Sequence, residues 1–262
     1  MVEIYDINDN RISPFLNLKF KSYFPKKVDT FVADSNKTVI RLLNSNLKIL
    51  KLLITQEFYK ENQHLILSKI QDYNNILIAQ KSIMKKIIGF RLHGGVMALA
   101  EIPKQTELNA LDNFIIVLNN VVDAENVGSI IRNSAAFNIN SIITDKKTPH
   151  LYLRRIVRVS MGNIFKMKYY ISQNLVNDLK YLKELDYRII SIENNVDSAN
   201  YKKLNIQKKA VIVFGNEGFG IDNEILEISD NVFHIPIMSD VGSINVSAAS
   251  AIILNHIYNT IY

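Results

Sequence analysis

Three polar segments of the sequence carry residue types that suit binding or catalysis. In the first, DAENVGSIIRNSAAFN (residues 123–138), Asn126 and Gly128 open a predicted helix, and Arg132 follows further along it. Arg132 stands among Ile and Ala residues. A lone Arg in that setting ordinarily forms an interdomain or surface salt bridge.

The second segment, VIVFGNEGFGI (residues 211–221), is an apolar strand pattern that ends in Gly215, Gly218 and Gly220, with Glu217 between them. Glycines directly after a strand allow the backbone to approach a ligand closely, or simply form a tight turn. Their order, G-x-x-G-x-G, differs from the dinucleotide fingerprint G-x-G-x-x-G. The sequence also lacks a Walker-type phosphate loop, which disfavours nucleotide hydrolysis.

The third segment is HIPIMSDVGSINVSAASAIIL (residues 234–254). Pro236 closes a predicted strand, Gly242 bends the loop, and the residues from Ser243 to Ser247 enter a helix rich in Ala and Ser. Small residues in a helix permit close packing, so this segment suits a tight helix–helix interface or the floor of a pocket.

Predicted strands and helices alternate around these segments, which indicates an α/β protein with a parallel sheet covered by helices on both faces. In such sheets the ligand site lies beyond the carboxyl ends of the strands, so we expect it at the loops after Leu118, Phe214 and Ile235. We predict ten strands, over residues 31–33, 50–55, 75–79, 96–100, 114–118, 141–144, 166–171, 187–192, 210–214 and 232–235.

The same alternation divides the chain. We predict an N-terminal extension over residues 1–29, a smaller α/β domain over 30–104, a polar linker over 105–112 and the main domain over 113–262.

The composition excludes several classes of protein. The chain has 262 residues, of which 48% are hydrophobic and none is Cys. It therefore has material for a large core but no disulfide, thiolate nucleophile or Cys-based zinc site. We also expect no metal, because the histidines have no ligand spacing. No apolar run approaches the ~20 residues of a membrane span. The polar start, MVEIYDINDN, is unlike a secretory signal, so we expect a cytoplasmic protein.

Basic charge is concentrated in two places. The net charge is +6, yet residues 1–104 hold 16 Lys and Arg against 9 Asp and Glu, whereas residues 105–262 hold 15 against 16. Within that neutral remainder, residues 146–168 contain seven basic residues and no acid. A charge run is often only a solvated surface, but this imbalance favours a polyanionic partner.

The three segments, taken in order, resemble the motifs of the SpoU/TrmH family of S-adenosylmethionine-dependent RNA ribose 2′-O-methyltransferases. The resemblance covers residues 112–262 and extends more loosely over 30–104, which is similar to the family's RNA-binding substrate domain. The residues that carry it are Asn126, Gly128 and Arg132 in the first motif, Gly215, Glu217, Gly218 and Gly220 in the second, and Ile235, Pro236, Gly242, Ser243, Asn245, Ser247 and Ala248 in the third.

This resemblance implies a C-terminal trefoil knot, a homodimer whose interface uses part of the last helix, S-adenosylmethionine as cofactor, and RNA as substrate, with ribosomal RNA favoured over transfer RNA. The implied catalytic residues are Arg132, Asn126, Glu217, Ser243 and Asn245. Those implied for the cofactor are Phe214, Gly215, Asn216, Gly220, Ile235, Ile237, Ser243 and Asn245. For RNA they are Arg132, Arg154, Arg155 and Arg158.

The family proposal gives Arg132 the role of a base or of an electrostatic partner. A guanidinium keeps its proton at physiological pH, so we expect Arg132 to bind the RNA phosphate beside the reacting hydroxyl. Asn126 is then expected to orient Arg132 or the ribose, and Glu217 to hold its loop and pair with Arg132.

Three other functions are compatible with parts of the sequence. A non-catalytic RNA-binding or assembly protein is disfavoured by the intact motif residues. A methyltransferase acting on an RNA base is disfavoured because the motif set resembles that of the ribose enzymes. A nicotinamide-dependent oxidoreductase is disfavoured by the missing dinucleotide fingerprint.

Overall fold

The chain forms two compact units. The computed structural model describes residues 1–16, 29–88, 95–195, 197–206, 208–238 and 240–261. Unit 1 consists of Met1–Pro103 together with His150–Phe165, and unit 2 of Lys104–Pro149 together with Lys166–Tyr262.

Strands and helices alternate through both units. The strands are β1 (Val2–Ile4), β2 (Thr30–Asp34), β3 (Ile49–Ile54), β4 (Ile76–Ala79), β5 (Val96–Glu101), β6 (Phe114–Leu118), β7 (Ser141–Thr144), β8 (Lys168–Ile171), β9 (Arg188–Ile192), β10 (Ala199–Asn200), β11 (Ala210–Phe214) and β12 (Asn231–His234). The helices are α1 (Asn36–Leu43), α2 (Gln56–Lys69), α3 (Lys81–Ile88), α4 (Ala124–Ala136), α5 (Arg154–Val159), α6 (Leu175–Glu184), α7 (Asn223–Ile228) and α8 (Val246–Ile261).

All ten predicted strands are present, whereas β1 and β10 were not predicted. Helix α2 begins at Gln56 because Thr55 caps it: the Thr55 hydroxyl accepts a hydrogen bond from the Phe58 amide at 3.3 Å. Across the described part of the chain, no helix is both long and apolar enough to cross a membrane.

Unit 1 has a mixed five-stranded sheet in the order β1-β4-β3-β5-β2. Strands β1, β4 and β3 are parallel, while β5 runs antiparallel to both β3 and β2. The predicted extension over residues 1–29 is not separate from this sheet, because β1 pairs with β4 and Ile4, Ile12 and Phe15 are buried in its core. Residues 17–28 of that prediction, and residues 89–94, lie outside the described residues.

The basic helix α5 belongs to unit 1, although it lies between two strands of unit 2 in the sequence. The Arg154 guanidinium pairs with Asp34 at the end of β2, and Arg158 lies 3.9 Å from the same carboxylate. Asp34 is buried, with a side chain 7% exposed. Removing one partner of a buried ion pair costs about 3–5 kcal/mol, so Arg154 has a structural role here. The predicted boundary at residue 104 therefore misses a second segment of unit 1.

Unit 2 has a seven-stranded, fully parallel sheet in the order β10-β12-β9-β11-β6-β7-β8. Helices α6 and α7 pack on one face, where Leu179 and Ile225 contact a core that includes Val117 and Val213. The alternate strand residues, such as Ile116 and Ile212, point to the opposite face and are equally buried. The prediction of a parallel sheet covered on both faces is thus confirmed for this unit.

Candidate functional site

A cavity of about 420 Å³ opens at the carboxyl ends of three neighbouring strands of unit 2. The loops after β9, β11 and β12 form its walls, at the edge where ligands bind to parallel sheets. The lining residues are Ile192, Glu193, Asn194, Phe214, Gly215, Asn216, Glu217, Gly218, Phe219, Gly220, His234, Ile235, Ile237, Gly242, Ser243, Ile244, Val246 and Ala249.

Most of the residues predicted for the cofactor line this cavity. They are Phe214, Gly215, Asn216, Gly220, Ile235, Ile237 and Ser243. Asn245 is not part of the lining; it lies at the start of α8. The loop after β9 adds Glu193 and Asn194, which lie outside the three sequence segments. Their position directly after an apolar strand is the sequence signal that identifies them.

The loop after β11 is folded by its own hydrogen bonds. The Asn216 amide donates to the Gly220 carbonyl at 2.9 Å, and the Gly220 amide returns a bond to Asn216 at 3.0 Å. The Asn216 side-chain oxygen accepts from the amides of Gly218 and Phe219 at 2.8 and 2.9 Å. A Cβ on Gly215 would lie 2.5 Å from the Gly220 carbonyl carbon. Gly215 is therefore required by the tight turn itself.

Three side chains, one from each motif, join the loops around the cavity; we call them the Asn245–Asn126–Glu217 bridge. Asn126 Nδ2 donates to Glu217 Oε1 at 2.7 Å, and Asn245 Nδ2 donates to Asn126 Oδ1 at 2.9 Å. Asn245 Oδ1 in turn accepts from the Ser247 amide at 2.8 Å, which caps the start of α8. The bridge ties the loop after β11 to the N-termini of α4 and α8.

The direction of every bond in this bridge follows from its two ends. A carboxylate only accepts hydrogen bonds, so Asn126 must offer its NH₂ group to Glu217 and its oxygen to Asn245. Backbone amides only donate, so Asn245 must turn its oxygen to α8 and its NH₂ group to Asn126. An amide side chain fits both central positions because it has a donor on one side and an acceptor on the other. An Asp at position 126 has no donor for Glu217.

Arg132 lies apart from this bridge. Its side chain is exposed on α4, and it forms no hydrogen bond or ion pair with any residue that the structure describes. Within the described chain Glu217 Oε1 accepts from Asn126, and Asn126 Oδ1 accepts from Asn245. Arg132 is not among the partners of either residue, so its pairing with Glu217 and its orientation by Asn126 stay predictions.

The charges at the cavity are of one sign. Glu193 and Glu217 are the charged residues among the described lining, and the lining includes no Lys or Arg. His234 is also present, with Nδ1 2.9 Å from the Ser198 hydroxyl. Such a wall repels phosphate groups and attracts a cation, while Phe214, Ile235 and Ile237 offer apolar surface for a flat ring.

The histidines do not gather with other ligands. Among the described residues, no group of three or more His, Cys, Asp or Glu side chains is placed to hold a metal ion. His256 Nε2 lies 2.9 Å from the Leu204 carbonyl oxygen, and burial lowers the pKa of His150. His93 lies outside the described residues.

The sequence matches a known protein family. Residues 113–255, more than half of the chain, match the model of the SpoU rRNA Methylase family. An uncharacterized tRNA/rRNA methyltransferase of Mycobacterium bovis is 29% identical over 180 residues, which cover 66% of this chain and 62% of that protein. The chain thus spans under two thirds of that relative's length.

Solved structures share the fold. The AdoMet-bound rRNA methyltransferase of Sinorhizobium meliloti superposes with a TM-score of 0.83 at 19% identity, covering 97% of this chain and 96% of that one. An RNA 2′-O ribose methyltransferase superposes with a TM-score of 0.78 at 20% identity, covering 99% of both chains.

The bridge can be tested by Asn126→Asp, which keeps the size of the side chain but places a second carboxylate against Glu217. We expect the free energy of unfolding at pH 7 to fall by about 1–2 kcal/mol in a urea titration, because a hydrogen bond to a charged group is lost. Asn174→Asp is the matched control, since the oxygen that caps α6 is retained. Equal stability of Asn126→Asp and the wild type would contradict the bridge.

Proposed function

The chain belongs to the SpoU rRNA methylase family, and from this premise we propose that it transfers a methyl group from S-adenosylmethionine to a ribose 2′-hydroxyl of RNA. The observation that carries the proposal is the Asn245–Asn126–Glu217 bridge, which unites the three motifs beside a cavity with an acidic wall. The RNA methyltransferase names of the relatives support the same reaction class.

The cavity fits S-adenosylmethionine better than a nicotinamide dinucleotide. A dinucleotide carries two phosphates, which a wall with two carboxylates and no described Lys or Arg disfavours. In our proposal Phe214, Ile235 and Ile237 enclose the adenine ring, while Gly215, Asn216, Gly220 and Ser243 supply polar backbone and side-chain groups around it. When bound, the cofactor supplies an electrophilic methyl group on a positively charged sulfur.

Arg132 is proposed to hold the RNA rather than to remove a proton. Its guanidinium stays charged, and it presents a planar set of donors that matches a phosphate. Holding the phosphate next to the target nucleotide would align the 2′-hydroxyl for attack, and alignment alone supplies a large part of a rate enhancement. The exposure of Arg132 and its lack of a partner among the described residues suit this role.

A homodimer is proposed to complete the site. Arg132 does not line the cavity of its own chain, whereas Phe219 of the lining is 90% exposed, and Met238, next in sequence to the lining residue Ile237, is 74% exposed. Exposed apolar surface of this kind marks an interface. A second copy of the chain would cover it and bring its own Arg132 towards the cavity, with the small residues of α8 contributing to the interface.

We also propose the trefoil knot of the family. Strand β12 lies two strands away from β11 and three from β6, yet α8 packs on α4, which follows β6. Asn133 of α4 donates to the Ser247 carbonyl and to the Ser250 hydroxyl, both at 2.9 Å. To reach α4, the chain after β12 must therefore pass the loops that follow β9 and β11. A trefoil knot requires the C-terminal segment to take such a path.

Unit 1 is proposed to bind the RNA backbone through α1 and α5. The Arg41 guanidinium donates to the Met161 carbonyl at 2.7 Å, so the two segments adjoin. Lys37 and Arg41 on α1 are exposed, as are Arg155 and Arg158 on α5. Arg154, predicted as an RNA contact, is instead paired with Asp34 and has a side chain 24% exposed. Ribosomal RNA remains our favoured substrate, with transfer RNA as the alternative.

Arg132→Ala is expected to lower methyl transfer by about 10²-fold or more, because the phosphate that aligns the hydroxyl is no longer held. Transfer of labelled methyl groups to RNA is measured in a single turnover, and cofactor affinity is measured by calorimetry. The affinity of Arg132→Ala for the cofactor should stay within about twofold of the wild-type value. Lys180 is an exposed basic residue on α6, and the control variant Lys180→Ala should change neither methyl transfer nor cofactor affinity. Full turnover by Arg132→Ala would remove this residue from the mechanism.

Arg155→Ala combined with Arg158→Ala is expected to weaken RNA binding at low salt and to reduce the slope of log K against log salt by about 1.5, since each phosphate contact contributes roughly 0.7–0.9. Lys202→Ala with Lys203→Ala removes the same charge from exposed positions of unit 2 and is the control. If both double variants retain the wild-type slope, the basic segment is only a solvated surface.

A further inference from the structure

Glu193 is a half-buried carboxylate in the cavity wall. It follows β9 directly, and its two oxygens contact two different loops. Oε2 accepts a hydrogen bond from the Ile221 amide at 2.8 Å, and Oε1 accepts one from the Asn194 amide at 3.1 Å. Glu193 thereby holds the far end of the loop after β11 against the end of β9.

The neighbouring glycine makes room for this carboxylate. Gly220 has a φ of +71°, and a Cβ at that position would lie 2.5 Å from Glu193 Oε2 and 3.0 Å from its Cδ. Any side chain at position 220 would therefore both strain the backbone and displace the carboxylate. The Glu193 carboxylate thus explains why the last glycine of the second motif, Gly220, is a glycine. The same close packing fixes the position of the carboxylate.

No cation of the described lining neutralises this charge. The other titratable groups that face the cavity are Glu217, which accepts from Asn126, and His234, which lies against Ser198. A carboxylate has about four acceptor positions, of which the two backbone amides use one on each oxygen. Glu193 thus retains both its charge and free acceptor capacity towards a ligand.

We propose that Glu193 is a specificity-determining residue that favours the positively charged sulfonium form of the cofactor over the neutral thioether that remains after methyl transfer. This assignment rests on the proposed function. The sulfur loses its positive charge when the methyl group leaves, so a fixed negative charge in the wall holds the substrate form more strongly than the product form. Glu193 then acts on cofactor exchange as well as on the shape of the loop.

The test is calorimetric titration of Glu193→Gln with S-adenosylmethionine and, separately, with S-adenosylhomocysteine. Gln keeps the size of the side chain and an oxygen for the Ile221 amide, removes the charge, and gives up the acceptor for the exposed Asn194 amide. We expect the Kd for S-adenosylmethionine to rise about tenfold, which corresponds to a loss of about 1.4 kcal/mol of binding free energy. The Kd for S-adenosylhomocysteine should stay within about twofold. Glu193→Asp, which keeps the charge, is expected to retain the wild-type ratio of the two Kd values.

Glu224→Gln, at an exposed position of α7, is the matched control for removing one negative charge and should leave the ratio unchanged. The assignment would be overturned if Glu193→Gln weakened the binding of both ligands equally, or if Glu193→Asp also lost the preference for S-adenosylmethionine. Glu193 would then have only a structural role. Wild-type protein that binds neither ligand would overturn the proposed function, and this assignment with it.

Discussion

The structure of the site depends on one constraint: a single chain of hydrogen bonds has to satisfy a carboxylate at one end and a helix N-terminus at the other. Glu217 can only accept and the first amides of α8 can only donate, so the two asparagines between them have one permitted orientation. Each bond contributes about 1 kcal/mol, which is modest. Their value lies in geometry, because they bring loops from three distant parts of the sequence to one edge of the sheet.

Charge is divided between the two units in a way that suits two different ligands. Unit 1 contains exposed cations on α1 and α5, and its buried acid, Asp34, is already paired with Arg154. The cavity of unit 2 has the opposite sign, with Glu193 and Glu217 in its described lining. A polyanion is therefore attracted to unit 1, while the cavity favours a cationic ligand. The acidic wall also disfavours phosphate binding at the glycine-rich loop after β11.

Much of the fold could be predicted because it follows from local patterns. Buried parallel strands such as β11 are short apolar runs bounded by turn residues, and these are visible in the sequence. Strands β1 and β10 were missed because they are two or three residues long and pair at the edges of sheets. The placement of α5 in unit 1 could not be predicted, since the ion pair between Arg154 and Asp34 joins residues 120 positions apart. The motif residues identify the loops of the site, but which side chains meet there depends on how those loops fold in three dimensions, so the hydrogen bond from Asn126 to Glu217 could not be predicted.

Methyl transfer to a ribose hydroxyl of RNA, the reaction that we propose for this chain, is tested by identifying the methylated nucleoside. The protein is incubated with total RNA and S-adenosylmethionine carrying a labelled methyl group, and the RNA is then digested to nucleosides and separated. We expect the label in a 2′-O-methylated nucleoside. Label on a base would contradict the ribose assignment while retaining methyl transfer. Absence of label, with RNA still bound, would contradict catalysis and favour a non-catalytic RNA-binding protein with this fold.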